Sequence, residues 1–312
     1  MFQLFKKREF GDYISDTFQF FKETGKHYLK NYFTISGVML LLLVAITYII
    51  SQFYFDFIFR IDRTANNPDM LMAYFTDNFN TILGIGGAAF MVMIFLHMLN
   101  FSIPVIYLNL YDKNNGGHFG FQDILREFKS NFGKVFTFFL ATFFLIMPLI
   151  FFAFVIFLLL SFVIIGLPLL FFGIPAAYCW ITLSFYEYIN TGAGYFKALG
   201  AGWNTLRSQF FPIVGSVMVL FLIIQISITV LTLIPSIFGV ASVFTSLENP
   251  GQTEDAFSGM RVVLTVVMVL SSLISFILNN LLLINQGLVY YSRKEADENK
   301  ISNESIDWIG RE

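Results

Sequence analysis

Hydrophobic positions along this chain come in two textures. Six long stretches, near 33–55, 82–108, 135–160, 164–188, 211–238 and 262–291, are almost unbrokenly apolar. A helix needs roughly 20 such residues to cross the hydrocarbon core of a bilayer, so each stretch is read as one crossing. From Val135 onward no charge occurs before Glu187; that run is long enough for two crossings, and Gly166-Leu167-Pro168 supplies the turn between them.

The second texture lies just ahead of the first, third and fifth spans, where apolar residues recur with a helical period. Phe10, Ile14, Phe18, Phe21, Gly25, Tyr28 and Tyr32 fall on one face, opposite Asp12, Asp16, Gln19, Glu23, Lys26 and Lys30. Phe121, Ile124, Leu125, Phe128 and Phe132 oppose Gln122, Arg126 and Lys129; Phe196, Leu199, Trp203, Leu206 and Phe210 follow the same spacing. An aromatic-rich face set against a charged one predicts a helix lying in the membrane interface. Each such segment ends in a basic residue, two intervening residues and a phenylalanine: Lys30-Asn31-Tyr32-Phe33, Lys129-Ser130-Asn131-Phe132 and Arg207-Ser208-Gln209-Phe210. The expected fold is all-α: six transmembrane helices in three repeats, each an amphipathic interfacial helix followed by a transmembrane hairpin. The repeats cover 9–110, 119–190 and 194–292 within one membrane domain, 1–292, and 293–312 is a polar tail.

Composition agrees. Of the 312 residues 56% are hydrophobic and 13% charged, with mean hydropathy +0.70, whereas soluble domains average roughly 25% charged residues. The net charge of -2 says less than where the basic residues fall. With six spans, every Lys and Arg except Arg60, Arg63 and Arg261 lies on the side of the termini, so both termini are expected to be cytoplasmic. The N-terminus opens with charge and does not read as a cleaved signal peptide, which points to a bacterial cytoplasmic (inner) membrane. The intervening segments on the opposite side, 56–81 and 239–260, are short and net acidic, too small for a separate domain. Cys179 is the one cysteine, which excludes an internal disulfide and reads as a buried packing residue.

The last span carries Asn279, Asn280, Asn285 and Gln286, and amides at that depth need partners. The second span offers His97 and Asn100, and the fourth is also polar along one side, so the second arm of each hairpin is expected to line the centre of the bundle. The amides read either as interhelical glue or as a polar cavity for a headgroup or small solute. His97 is expected to be neutral and bonded to Asn280 or Asn279, because no Asp or Glu lies at its depth to relay a proton. Tyr107, Tyr111, Tyr186, Tyr290 and Tyr291 are expected at the membrane boundary. Gly84 and Ala88 would permit close helix contact, and Pro104, Pro148, Pro175 and Pro235 predict kinks.

Catalytic signatures are absent from the sequence: no P-loop, no Gly-x-Gly-x-x-Gly and no His-Glu-x-x-His. His27 and His118 fall on the surface while His97 is embedded, so the histidines do not converge on a metal. No cofactor or nucleic-acid partner is expected; membrane lipids, a membrane-protein partner or a second copy are.

The three tetrads, the proline-containing even-numbered spans and their terminal tyrosines together resemble the membrane domain fused to some bacterial glycerophosphodiester phosphodiesterases, and stand-alone membrane proteins of that superfamily. In the fused proteins catalysis belongs to a separate soluble barrel with a His-Arg pair and acidic metal ligands. This chain has no His-Arg dipeptide and no room for a barrel. The resemblance therefore implies a membrane role without hydrolase activity and transfers no catalytic residue. Two functions stay open: a non-enzymatic accessory or scaffold module in envelope or lipid-related processes, acting through its amphipathic helices, or a small transporter or lipid flippase using the polar seam.

Overall fold

The computed structural model describes residues 2–64, 68–116, 119–247 and 253–298; His118 and residues 299–312 of the tail lie outside them. The regular structure is helical: α1 (Phe10–Thr64), α2 (Pro68–Lys113), α3 (Phe121–Ala141), α4 (Met147–Ser161), α5 (Gly166–Thr191), α6 (Tyr195–Ser208), α7 (Phe210–Leu247) and α8 (Thr253–Glu298). Six segments are long and apolar enough to cross a membrane: Phe10–Phe55, Thr76–Lys113, Phe121–Ser161, Gly166–Thr191, Phe210–Gly239 and Gly259–Glu298. They overlap the six stretches read from the sequence, and the protein is a multi-pass membrane protein.

The α4 helix makes the same argument physically. Its residues are apolar on every side and none is buried against the rest of the chain. Exposed Leu149, Phe151, Phe152 and Leu159 would form a large apolar patch in water, whereas in lipid they meet a matching solvent.

Helix ends follow local chemistry. Pro68 opens α2, where its missing N–H is not needed. A π-helical turn over Thr142–Ile146 joins α3 to α4 directly ahead of Pro148 and absorbs the ring that an unbroken α-helix would not admit. The turn between α4 and α5 lies at 162–165, just before the predicted Gly-Leu-Pro, with Ile164 at φ 68.

Two expectations take a different form. The first two predicted surface segments run into their spans without a break, within α1 and within α3; only the third is a separate helix, α6, ending where Gln209 leaves helical geometry at φ -140, ψ 53. The segments 56–81 and 239–260, expected as loops, are helical up to Thr64 and Leu247 and resume at Pro68 and Thr253.

The chain divides into two compact units. Unit 1 comprises Met1–Ile35, Met98–Leu222 and Asn279–Glu312. In it α8 approaches α2 and α5 at Gly287, where an added Cβ would collide with Leu108 and come within 2.6 Å of the Tyr186 hydroxyl. Tyr186 hydrogen-bonds the Leu283 carbonyl at 2.9 Å, and Cys179 is fully buried. Unit 2 comprises Ser36–His97 and Ile223–Leu278. Its described interior holds Leu40, Leu43, Phe55, Ala89 and Leu96, and α7 and α8 come close where Gly239 faces Val263. Gly84 in unit 2 has no atom within 4 Å of where a Cβ would stand, and Ala88 is exposed, so this small-residue face is open rather than packed.

Candidate functional site

The polar seam of unit 1 forms where the last helix meets the first. Tyr28, fully buried on α1, donates its hydroxyl to Asn280 Oδ1 at 2.6 Å. One turn on, Tyr32 donates to Asn100 Oδ1 at 3.0 Å, and Asn280 Nδ2 donates to the same oxygen at 3.3 Å. Two amides and two phenols from α1, α2 and α8 thus close on one another.

Five residues along α8, about 7.5 Å of helical rise, a second cluster forms. Asn285 Nδ2 donates to the Tyr13 carbonyl at 2.9 Å and to Thr17 Oγ1 at 3.2 Å. Asn285 Oδ1 accepts from Ser216 Oγ and from Gln286 Nε2, each at 3.2 Å. Buried amides left unpaired would each cost about 1–3 kcal/mol, so these bonds are the condition for placing them here. Asn100 Nδ2 and Gln286 Oε1 remain buried without a hydrogen-bond partner.

The structure therefore brings Asn100 together with Asn280, and Asn285 with Gln286. Asn279 is half-buried at the edge of this arrangement. His97 belongs to unit 2, where it is exposed and its ring lies 5.0 Å from that of Phe276.

Sequence reasoning found one partner, Asn100 on the second span, and missed the others. It sought them on the even-numbered spans, but Tyr13, Thr17, Tyr28 and Tyr32 come from α1 and Ser216 from α7. The buried side of α1 carries Tyr13, Thr17, Phe20, Tyr28 and Tyr32. The spacing is helical, but the members mix phenols and a hydroxyl with apolar rings, so a purely hydrophobic pattern picks a neighbouring face. The predicted face survives in part: Tyr28 and Tyr32 are buried, whereas Phe10 and Phe18 are exposed and Phe21 is half-buried. Phe128 is buried at 4% exposure, Phe132 is exposed, Trp203 is 48% exposed, and Phe210 is half-buried.

The tyrosines expected at the membrane boundary are interior residues. Tyr107, Tyr111, Tyr186, Tyr290 and Tyr291 are all buried, with Tyr186 and Tyr290 stacked at 5.6 Å. His27 is half-buried: Nε2 lies 2.9 Å from the Phe119 carbonyl and Nδ1 2.9 Å from the Tyr107 hydroxyl. A carbonyl only accepts, so the contact to Phe119 requires the proton on Nε2.

Residues 2–9 form a strap across this region. Phe2 and Leu4 are buried, and the Phe2 N–H donates to the Tyr111 hydroxyl at 3.0 Å. Arg8, 2% exposed, donates Nε to Asp16 Oδ2 at 2.8 Å, Nη1 to the carbonyls of Leu4 and Lys6, and Nη2 to that of Gln3. Its own N–H reaches Ser292 Oγ at 2.9 Å. Burial pulls the guanidinium below its ordinary pKa, and Asp16 opposes that shift. Asp16, expected on a solvated face, is buried because Arg8 and Lys6 both meet its carboxylate. On the opening turn of α6, burial pushes the Tyr195 hydroxyl above its usual pKa, and the bond to Thr142 at 3.1 Å works against it.

Set against known proteins, the chain matches no family model, no curated protein and no solved structure.

Proposed function

We propose that this protein is a non-enzymatic accessory or scaffold module of a bacterial cytoplasmic membrane, serving envelope or lipid-related machinery. The observation that carries the reading is how the seam amides are engaged. Asn100, Asn280 and Asn285 are each tied to hydroxyls or amides of the same chain, as glue requires and a solute path does not. What stays unengaged is the aromatic surface of the membrane-boundary segments, with Phe18, Phe132, Phe196 and Trp203 exposed beside Lys22, Lys129 and Arg207. Such surfaces hold lipid headgroups and partner helices.

The asymmetry of basic residues supports cytoplasmic termini. The three basic-x-x-Phe tetrads support a three-fold repeat and kinship with the membrane domain fused to some glycerophosphodiester phosphodiesterases.

Two exposed substitutions test the reading. Phe132→Asp with Trp203→Asp should release the proteins that copurify with the wild type from its own membrane, leaving all six spans protected in a topology assay. Undiminished copurification would count against it. A second reading, a small transporter or lipid flippase, draws on the unpaired Asn100 Nδ2, Gln286 Oε1 and Tyr178 hydroxyl. For that reading Asn279→Leu with Gln286→Leu would abolish transport in vesicles with the protein still folded; loss of folded protein in proportion would mean glue.

A further inference from the structure

At one end of unit 1, where α2 and α5 terminate against α3, lies an open polar pocket of about 250 Å³. Lys113, Lys134 and Glu127 supply its charges, and Asn109, Asn131 and Asn190 its amides. We propose that this pocket binds the phosphate group of a phosphoester.

The charges are unbalanced and loosely held. Two ammonium groups face one carboxylate, and the Lys113 to Glu127 distance of 4.0 Å sits at the limit of an ion pair. Lys134 has no ion-pair partner among the described residues. A lysine beside a helix C-terminus often caps its carbonyls, but neither ammonium bonds a carbonyl among the described residues, and local donors serve carbonyls near both ends. Asn114 N–H and Nδ2 both serve Leu110 O, Gly116 N–H serves Tyr111 O, and Thr191 Oγ1 serves Glu187 O. The lysines are therefore left for something else.

Two amides of the lining are tied to each other. Asn109 Nδ2 donates to Asn190 Oδ1 at 2.8 Å, which fixes the Asn190 amide. Asn190 Nδ2 is then buried with no hydrogen bond; Tyr290 is near enough to interact but not in bonding geometry. Gly192 keeps the wall open, since it ends α5 at φ 66 and any side chain there would be strained and directed at the Lys134 ammonium. Two lysines match the anionic oxygens of a phosphate, whereas a sugar or an apolar solute would leave the ammonium groups unanswered.

Size and place narrow the ligand. The volume falls below the roughly 300–1,000 Å³ of pockets for drug-sized molecules, as suits a headgroup or small phosphoester. Lys113 and Thr191 end two of the helices long enough to cross a membrane, on the side where most basic residues fall, which suits an anionic headgroup. A phospholipid and a soluble phosphoester share this chemistry, and the test separates them.

Full-length protein in a phosphate-free detergent would be titrated by calorimetry with inorganic phosphate and, separately, with short-chain phosphatidylglycerol below its micelle concentration. Saturable binding should weaken about tenfold in Lys134→Gln and in Lys113→Gln, the loss of one charge-assisted contact each. It should be unchanged in Lys129→Gln, an exposed lysine of α3 that does not line the pocket. Binding of both probes assigns a soluble phosphoester; binding of phosphatidylglycerol alone assigns the headgroup. No saturable binding of either probe, or binding that both pocket variants retain in full, overturns the proposal. Both lysines are exposed, and helix content by circular dichroism verifies that the variants fold. The outcome is independent of partner docking through Phe132 and Trp203, since no residue is shared.

Discussion

The two compact units use different means to hold helices together, although α1, α2, α7 and α8 contribute to both. Unit 1 is directional: phenols, amides and a buried arginine connect positions up to 284 residues apart. Unit 2 is mostly non-directional. Its described polar contacts between helices include Ser51 Oγ to Thr265 Oγ1 at 3.2 Å and Arg261 Nη2 to the Gln52 carbonyl at 3.4 Å, and apart from Ser36 and Thr232 the rest of its described interior is apolar. In lipid, apolar packing alone barely distinguishes one helix rotation from another, because the tails are as apolar as leucine. Hydrogen bonds do distinguish them, since a rotated helix leaves its polar groups unpaired in oil. The polar clusters of unit 1 are accordingly the part whose arrangement is specified, whereas unit 2, like the α4 helix of unit 1, relies on apolar surface in lipid.

The sharpest way to break that contrast is Arg8→Ala. It leaves the Asp16 carboxylate buried with only Lys6 and frees four bonds of the strap, and should cost about 3 kcal/mol of unfolding free energy in detergent. Protease sensitivity ahead of Glu9 should rise with it. A variant as stable and as protected as the wild type would mean that the strap adds nothing.

A smaller loss is expected from Asn280→Leu. The Tyr28 hydroxyl loses its acceptor and Asn100 loses one of its two donors, which together should cost about 1–2 kcal/mol. Tyr28→Phe in the same background should cost almost nothing further, so the pair should be strongly non-additive in a double-mutant cycle. Additive losses would show that the phenol and the amide do not act together.

The smallest effect belongs to unit 2. Ser51→Ala removes its hydroxyl contact to Thr265 and should change stability by less than about 0.5 kcal/mol. A loss as large as that of Asn280→Leu would erase the distinction between the units.

How much of this could be read from the sequence differs along the same line. The spans were legible because length and apolarity alone decide them; even the crossing pair between Val135 and Ile189 was divided within a few residues of the observed turn. That the last span needed polar partners was legible from Asn280, Asn285 and Gln286 themselves. Beyond Asn100, which residues answer them was not. Tyr28 and Tyr32 sit in a segment that reads as surface-seeking, and a tyrosine looks alike to a hydrophobicity count whether it anchors at an interface or donates to an amide. Asp16 was misplaced for a related reason: periodicity assigns a charge to solvent, and nothing short of the fold brings Arg8 back upon it.

The strap also has a place in time. Its residues leave the ribosome well ahead of Ser292, which receives the Arg8 N–H and is made 284 residues later. At about 5–20 residues per second that interval is roughly a quarter of a minute to a minute. Through it Arg8 waits without this partner, and the strap reaches its final seat only after the last helix is inserted. Nascent chains halted before Ser292 should therefore expose residues 2–9 to protease, while finished chains protect them. The strap thereby reports that α8 has arrived.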